Sequence, residues 1–279
     1  MSARGAVEKP AAQAPTMRGG ELRARARAVL LAPEPAAKCA AVHALCADAE
    51  HLLIDPAAEL APVVEPGRPR RPALVPPARV PRRNAGTPEG RAALIHALAH
   101  IEFNAIDLAL DAVARFRGLP VDFYRDWLRI ADEEATHFGM LAGHLGSLGH
   151  AYGDFPAHGG LWEAAAKSAD DPLARMALVP RVLEARGLDV NPGIQRRLAA
   201  AGDRAAVAIL EVILADEIGH VAVGNRWFVQ LCRTRGLEPQ ATFAALLARH
   251  GVAVPHPPFN TAARLAAGFS AAELGVWEA

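Results

Sequence analysis

The chain carries two Glu-x-x-His pairs, Glu134/His137 and Glu217/His220, each inside an apolar stretch of helical spacing. Each pair is preceded, in a separate stretch of the same kind, by a lone glutamate, Glu102 and then Glu184. Residues three apart on a helix are separated by about 60° and about 4.5 Å of rise, so a glutamate and a histidine so spaced can address one point. Glu102 has Ile95, Leu98, Ala105, Ile106 and Ala109 as helical neighbours; Glu134 has Trp127, Ile130, Ala131, Phe138 and Leu141; Glu217 has Leu210, Ile213, Leu214 and Val221. These are core-facing stripes with an acid set inside them. A buried charge without a counter-charge is too costly to keep. Ion pairing within the chain would need Lys or Arg on the same stripes, and only Arg181, near Glu184, offers one. The order Glu, Glu-x-x-His, Glu, Glu-x-x-His is the ligand order of a two-metal carboxylate site in a four-helix bundle. The expected metal ligands are therefore Glu102, Glu134, His137, Glu184, Glu217 and His220.

One Glu-x-x-His pair carries no information, because this composition yields roughly 0.7 of them at random. Two of them, both on apolar helical faces and both following a mid-helix acid, are a different matter. Depth is a second check. Glu102 and Glu134 are equidistant from Gly118, so an antiparallel hairpin turning there brings both carboxylates to one level. The second half lacks that symmetry. Glu184 stands just before Gly187, Asn191, Pro192 and Gly193, which interrupt the pattern. Either the helix continues past Gly187, or a short helix over 194–201 fills the space. Carboxylates with imidazoles at paired sites suit iron or manganese, as Fe/Fe, Mn or mixed Mn/Fe.

The remaining sequence divides into a lead (1–20), a helical segment (21–54), a Pro/Arg-rich arm (55–87), the bundle (88–235) and a C-terminal helical extension (236–279). Within the bundle, helices are expected over 87–116, 121–145, 171–186 and 203–234, and beyond it over 239–249 and after Ser270. Thr87-Pro88-Glu89 starts the first of them with a capping hydroxyl, a proline at the first helical position and an acid in the first turn. In the arm, Pro56, Pro62, Pro66, Pro69, Pro72, Pro76, Pro77 and Pro81 are interleaved with Arg68, Arg70, Arg71, Arg79, Arg82 and Arg83. Such density forbids a helix interior and favours extended polyproline II. The arm reads as a strap along the bundle surface, as an arginine-rich contact for RNA phosphates, or as a plain linker.

Composition enters where it excludes. With 52% hydrophobic but only 5% aromatic residues, an Ala/Leu/Val-rich helical protein is expected. A formal net charge of zero gives no global case for nucleic acid or an anionic membrane. Cys39, Cys46 and Cys232 have neither C-x-x-C spacing nor even number, which suits a reducing cytoplasm rather than a disulfide scaffold. The first twenty residues lack the apolar segment of a secretory signal and read as disordered, and no apolar run approaches the ~20 residues that span a bilayer. A cytoplasmic protein without a membrane partner is expected.

Several neighbours of the ligand set have a second reading. Trp127 and Trp227 are core residues or electron-relay and pocket walls, and His144 is a helix-end or a pocket residue. Glu133, Asp216 and Glu211 flank the ligands, and Asp216 or Glu211 can hold a ligand imidazole from behind. Pro180, one turn before Glu184, frees a backbone carbonyl and kinks its helix. Tyr152, Asp154, His158 and Trp162 anchor the crossover between the two halves or contribute to a site.

The blocks HIEFNAIDLALDA, DEEATHFGML, YGDFPAHGGLWEAA, RMALVPRVLEARGLD, ADEIGHVAVGNRWF and PPFNTAARLAAGF run from near Ala78 to the C-terminus. They resemble the ferritin-like superfamily, and within it the uncharacterised bacterial family called domain of unknown function 455. The resemblance implies an all-α, ferritin-like four-helix bundle with one long crossover, and the same six ligands. It implies no reaction. The layout is also similar, at superfamily level, to a bacterial tRNA hydroxylase family with a di-iron bundle. The expected function is a di-iron oxidoreductase dependent on dioxygen or peroxide, such as a hydroxylase, with a small-molecule or RNA-borne substrate and an external electron donor, as a monomer or dimer. The alternatives are an iron storage or detoxification protein, and a non-enzymatic RNA-binding or scaffold protein.

Overall fold

Strong local start and stop signals set the long helices, and what packs between them sets the site. A computed structural model describes residues 20–81 and 83–278. The lead expected over 1–20 lies, Gly20 apart, outside the described residues, as does Arg82 of the arm. Among the described residues the protein is all-helical without a strand; pairing of the β type is limited to isolated bridges at Glu21/Leu53 and Leu74/Ala157.

Helix α1 (Leu22–Leu30) and α2 (Pro35–Asp48) lead through the arm to α3 (Pro88–Arg115) and α4 (Val121–Ser147). The crossover holds α5 (Gly160–Ala166). There follow α6 (Pro172–Leu178), a π-helical segment Val179–Glu184, α7 (Ala185–Ala200) and α8 (Arg204–Thr234), then α9 (Pro239–His250), α10 (Thr261–Ala266) and α11 (Ala271–Glu278). The Thr87 hydroxyl accepts from the Gly90 amide, and Pro88 fills the first helical position of α3. Between α3 and α4 the chain turns at Gly118, whose φ of 74° lies in the left-handed region that glycine enters without penalty. Asp203 caps α8 by accepting from the Ala206 amide.

Helices α3 and α4 pack along each other, as do α7 and α8, and the α4–α8 contact joins the two pairs. The outer helices α1 and α2 lie against α3 and α4, while α9 and α10 lie against the second pair. Arg23 of α1, 1% exposed, ties this shell together. Its guanidinium donates to the carbonyls of Val113 and Ala114 at the end of α3, and to those of Asp55, Pro56 and Ala58 in the arm. It thereby satisfies carbonyls that a helix end leaves without intrahelical donors.

Of the two readings the sequence leaves open for the third long helix, the structure shows the one in which it continues past Gly187 rather than stopping near Arg186. Helix α6, the π segment and α7 run on from Pro172 to Ala200, through Gly187, Asn191, Pro192 and Gly193. Pro192 withholds the N–H that the Leu188 carbonyl would receive, and Asn260 Nδ2 donates to that carbonyl instead, at 3.2 Å. Asn191 Nδ2 donates across to the Leu210 carbonyl of α8 at 3.2 Å. Tertiary partners thus override the breakers. At Pro180 the wider π turn accommodates the missing donor. Its ring sits so close to Gly224 of α8 that a Cβ there would fall 2.1 Å from a proline carbon. That glycine lets the helices approach.

The arm lies on the helices, fastened by main-chain groups: the Gly67 amide donates to the Leu30 carbonyl, the Val75 amide donates to the carbonyl of Ala157 in the crossover, and the Ala157 amide donates to the Ala73 carbonyl. Trp162 Nε1 donates to the Val64 carbonyl at 3.0 Å, and His100 Nδ1 lies 2.8 Å from the Tyr152 hydroxyl, so both crossover aromatics act as anchors. Helix α3 is long and apolar enough to cross a membrane, but 83% of its most apolar window is buried against other helices, which makes it a core helix here.

Candidate metal centre

The hairpin at Gly118 brings Glu102 of α3 beside the Glu134/His137 pair of α4, and the α4–α8 contact brings Glu217 and His220 to the same level. Glu102, Glu134, His137 and Glu217 each offer one donor atom, and these atoms all lie within 4.8 Å of one another. His220 joins through Glu134: its Nδ1 is 3.1 Å from Glu134 Oε1 and 3.7 Å from Glu217 Oε1. His137 Nδ1 lies 3.3 Å from Glu134 Oε2 and 3.7 Å from Glu102 Oε2. Glu134 therefore turns one oxygen to each histidine and sits at the middle of the cluster. Glu102, Glu134, His137 and His220 are 5%, 0%, 0% and 0% exposed. Glu184 comes from the end of the π segment, outside the four-atom group; its Oε2 is fully buried, and the charge of Glu217 acts on it.

Each histidine is held from behind by the opposite helix. His137 Nε2 of α4 donates to Asp216 Oδ2 of α8 at 3.0 Å, and His220 Nε2 of α8 donates to Glu133 Oε2 of α4 at 2.8 Å. The arrangement is reciprocal, and it points both Nδ1 atoms inward. Asp216, rather than Glu211, takes this role. The signal in the sequence is an acid immediately before each Glu-x-x-His glutamate, in Glu133-Glu134 and in Asp216-Glu217. Outer carboxylates of this kind fix ring orientation and raise the basicity of the inward nitrogen. Glu133 is itself gripped by Arg129 at 2.6 Å.

Carboxylates this close either take up protons or hold their charges against neighbouring cations. Burial, then repulsion by Glu134, pushes Glu102 well above the usual carboxylate range and raises Glu217 as well. Burial and Glu217 push Glu184 up to about 8. Burial would raise Glu134 too, but His220 and His137 hold it below the ordinary range. Burial alone would lower His137; the neighbouring carboxylates of Glu102 and Glu134 overrule it and lift it to about 11. His220 is likewise lifted well above its ordinary value against burial, first by the Glu134 charge.

A second property is the supply of unused donor atoms. Glu102 Oε2, Glu134 Oε1, Glu184 Oε2, Glu217 Oε2 and His220 Nδ1 are buried without a hydrogen-bond partner. Buried polar atoms in native proteins are almost always bonded; these five include His220 Nδ1 and Glu134 Oε1, which lie 3.1 Å apart without hydrogen-bond alignment, and the set is open to a cation. Arg181 does not provide it: its guanidinium donates to Asn225 and Glu273, at 2.6 Å each. His144 pairs with Asp203 at 3.0 Å, away from the cluster. Trp127 packs with Phe123, which also packs with Trp227, and Trp227 Nε1 donates to Asp126 at 2.8 Å.

A cavity of about 140 Å³ opens beside the cluster between α3, α7 and α8. Leu98, Ile101, Ala105, Leu183, Ile213 and Leu214 make its walls apolar, and Glu102, Glu184 and Glu217 face into it. Neither histidine lines it.

The family described as "Protein of unknown function (DUF455)" matches residues 31–275. The chain is also similar to an "Uncharacterized protein" of Haemophilus influenzae, 51% identical over 213 residues that make up 74% of each chain. No solved structure matches it.

Proposed function

The chain belongs to the DUF455 family, and we propose that it is a di-metal carboxylate protein of ferritin-like bundle architecture, with iron at both positions, working as a dioxygen- or peroxide-dependent oxidoreductase such as a hydroxylase. The observation that carries this reading is the gathering of buried donor atoms from Glu102, Glu134, His137 and Glu217 within 4.8 Å of one another, several of them without a hydrogen-bond partner. Charge supports it: four carboxylates with neutral imidazoles carry four negative charges, which two divalent cations balance. The donor set supports it as well, since imidazole with carboxylate suits iron and manganese. The pairing of α3 with α4 and α7 with α8, with inward Glu-x-x-His motifs, favours the ferritin-like arrangement.

Glu102 and His137 would hold one ion, Glu184, Glu217 and His220 the other, and Glu134 both. Held there, a pair of iron ions would supply electrons and Lewis acidity for reducing dioxygen or peroxide. The protein's own part is positioning and exclusion. Asp216 and Glu133 keep the Nε2 protons of the histidines and leave each Nδ1 free for a cation. Glu102, Glu184 and Glu217 border the cavity where a substrate carbon can lie, and its apolar walls keep bulk water from that point.

The test is elemental analysis of protein isolated from cells and of stripped protein re-exposed to Fe(II) or Mn(II) without oxygen. Two ions per chain are expected. A chain that neither retains nor takes up iron or manganese sinks the reading.

A further inference from the structure

The buried cluster leaves two segments without a part: the Pro/Arg arm and the crossover after α4. The structure brings them together. The Val75 amide donates to the Ala157 carbonyl at 2.8 Å, and the Ala157 amide donates to the Ala73 carbonyl at 3.0 Å. Past this bridge the arm turns through Pro77–Arg79 and reaches Arg83. Arg83, His158 of the crossover and Arg197 of α7 line an open depression of about 430 Å³ over the first half of α3. The depression and the inner cavity share Leu98, Ile101 and Ile194, so they adjoin along these three side chains. Ile101, 46% exposed, stands at the division.

The ends differ in chemistry. The outer lining has two guanidiniums and an imidazole and, among the described residues, no acid. Arg83 is half-buried, and burial pulls its guanidinium below the usual arginine range; among the described residues no carboxylate pairs with it. The inner end is apolar and stops at Glu102, Glu184 and Glu217. From Leu94 in the outer lining to Glu102 at the inner end is about 12 Å along the helix axis. The inner volume is close to the ~150 Å³ of a protein cavity known to hold a benzene-sized apolar group.

We propose that the depression and the inner cavity form one channel and that it binds an amphiphilic anion, its carboxylate or phosphate head at Arg83 and Arg197 and its apolar tail passing Leu98, Ile101 and Ile194 into the inner cavity. The head sets how far the tail reaches, and so which carbon lies against the carboxylate cluster. Guanidinium suits both head groups. As a statement about which molecule reacts, this rests on the di-metal reading; as a statement about binding it does not. The arm is then a wall of the channel, and Arg83 its anion contact.

The test is calorimetric titration of the full chain, as isolated and metal-stripped, with decanoate, octyl phosphate and uncharged octanol, with metal content measured on the same samples. Decanoate or octyl phosphate is expected to bind at least tenfold more tightly than octanol, and the tighter of the two identifies the head. The double variant Arg83→Ala/Arg197→Ala should lose at least tenfold in affinity for the anions and none for octanol. This separates head recognition from a carboxylate seated on the metals, which the arginines would not affect. Ile101→Trp, at a half-exposed position where folding is verifiable by circular dichroism, should block the channel to all three probes. Equal affinity for octanol and the anions, or unchanged anion affinity in the double variant, overturns the proposal. Metal retention without probe binding defeats this inference alone, whereas probe binding with neither metal retention nor uptake defeats the di-metal reading and leaves the channel standing.

Discussion

Asp107 and Asp111 lie a turn or two beyond Glu102 on α3, and all three are buried, yet the chain treats them in opposite ways. Asp107 meets Lys38 of α2 in an ion pair whose partners are 0% and 1% exposed. Asp111 meets Arg175 of α6 at 2.8 Å and Arg115 one turn on. Each of these acids receives a basic side chain, in two cases from another helix. Lys38 Nζ is further satisfied by the carbonyls of Leu30 and Gly67. At the level of Glu102, four carboxylates and two imidazoles gather with no Lys or Arg among them, and the nearest arginine on the stripe turns to Glu273. The sequence readily supplies cations to buried acids about 8 and about 14 Å away along the same helix. Their absence around Glu134, among the described residues, leaves the two histidines as its partners within the chain and is what the proposed metal pair would answer.

The strongest way to break this comparison is to remove the shared residue. In Glu134→Ala, retained metal should fall from two ions per chain to a trace, because Glu134 alone turns an oxygen to both histidines. Elemental analysis reads the result directly, and retention of two ions would show that Glu134 does not join the two positions.

On the other side of the comparison, Lys38→Ala leaves Asp107 buried and unpaired and should cost about 3–5 kcal/mol in urea unfolding, with metal per folded chain unchanged. The double replacement Lys38→Met/Asp107→Leu should recover most of that loss, since an apolar pair of similar volume commonly replaces a buried ion pair. No apolar replacement at Glu134 can restore metal. If Lys38→Ala also lost its metal, the two regions would be one cooperative unit.

How much of this was legible beforehand follows the same division. Signals confined to one element were readable: Thr87-Pro88 fixed the start of α3, Gly118 fixed its hairpin with α4, and the Glu-x-x-His spacing placed two side chains on one face. What long-range partners decide was not. The Leu188 carbonyl is satisfied by Asn260, far along the chain, so Pro192 looked like a break and Glu184 seemed stranded beside it. The π segment that carries Glu184 inward depends on Pro180 meeting Gly224 of another helix. The channel was hidden for the same reason: Arg83 and Arg197 lie far apart in sequence, and only the seating of the arm on Ala157 brings them to one rim. The cross-helix holding of the histidines lies between these cases. Asp216 was one of two candidates, and geometry chose it.

That holding gives a smaller effect. Asp216→Asn should weaken binding of the ion beside His137, on the opposite helix, by about 10–100-fold, the usual consequence of losing such an outer partner. Glu133→Gln should do the same to the ion beside His220. Competition against a chelator would then release one ion early and one late in each variant. Simultaneous release of both would contradict the crossed assignment.

The smallest effect is a pH dependence, and it also contrasts the two regions. In the metal-free protein Glu184 is raised to about 8 and His137 to about 11. For a group raised above its unfolded value, the contribution to stability is whole below the unfolded pKa and is lost as pH rises through the folded one. Glu184 thus loses its contribution between its ordinary carboxylate range and about 8, and His137 loses its own between its ordinary imidazole range and about 11. A metal that displaces both protons removes this decline. The melting-temperature gap between metal-loaded and metal-free protein should therefore widen from about pH 6 to about pH 9, by no more than about 1.4 kcal/mol per displaced proton per pH unit. Asp107, raised to about 7 by burial against the pull of Lys38, loses stability over a lower window by the same sign. It does so in both forms, because its counter-ion is part of the chain, and so it cancels from the gap. A gap that stays flat with pH would mean that Glu184 and His137 keep their protons when metal binds, and that neither is a ligand.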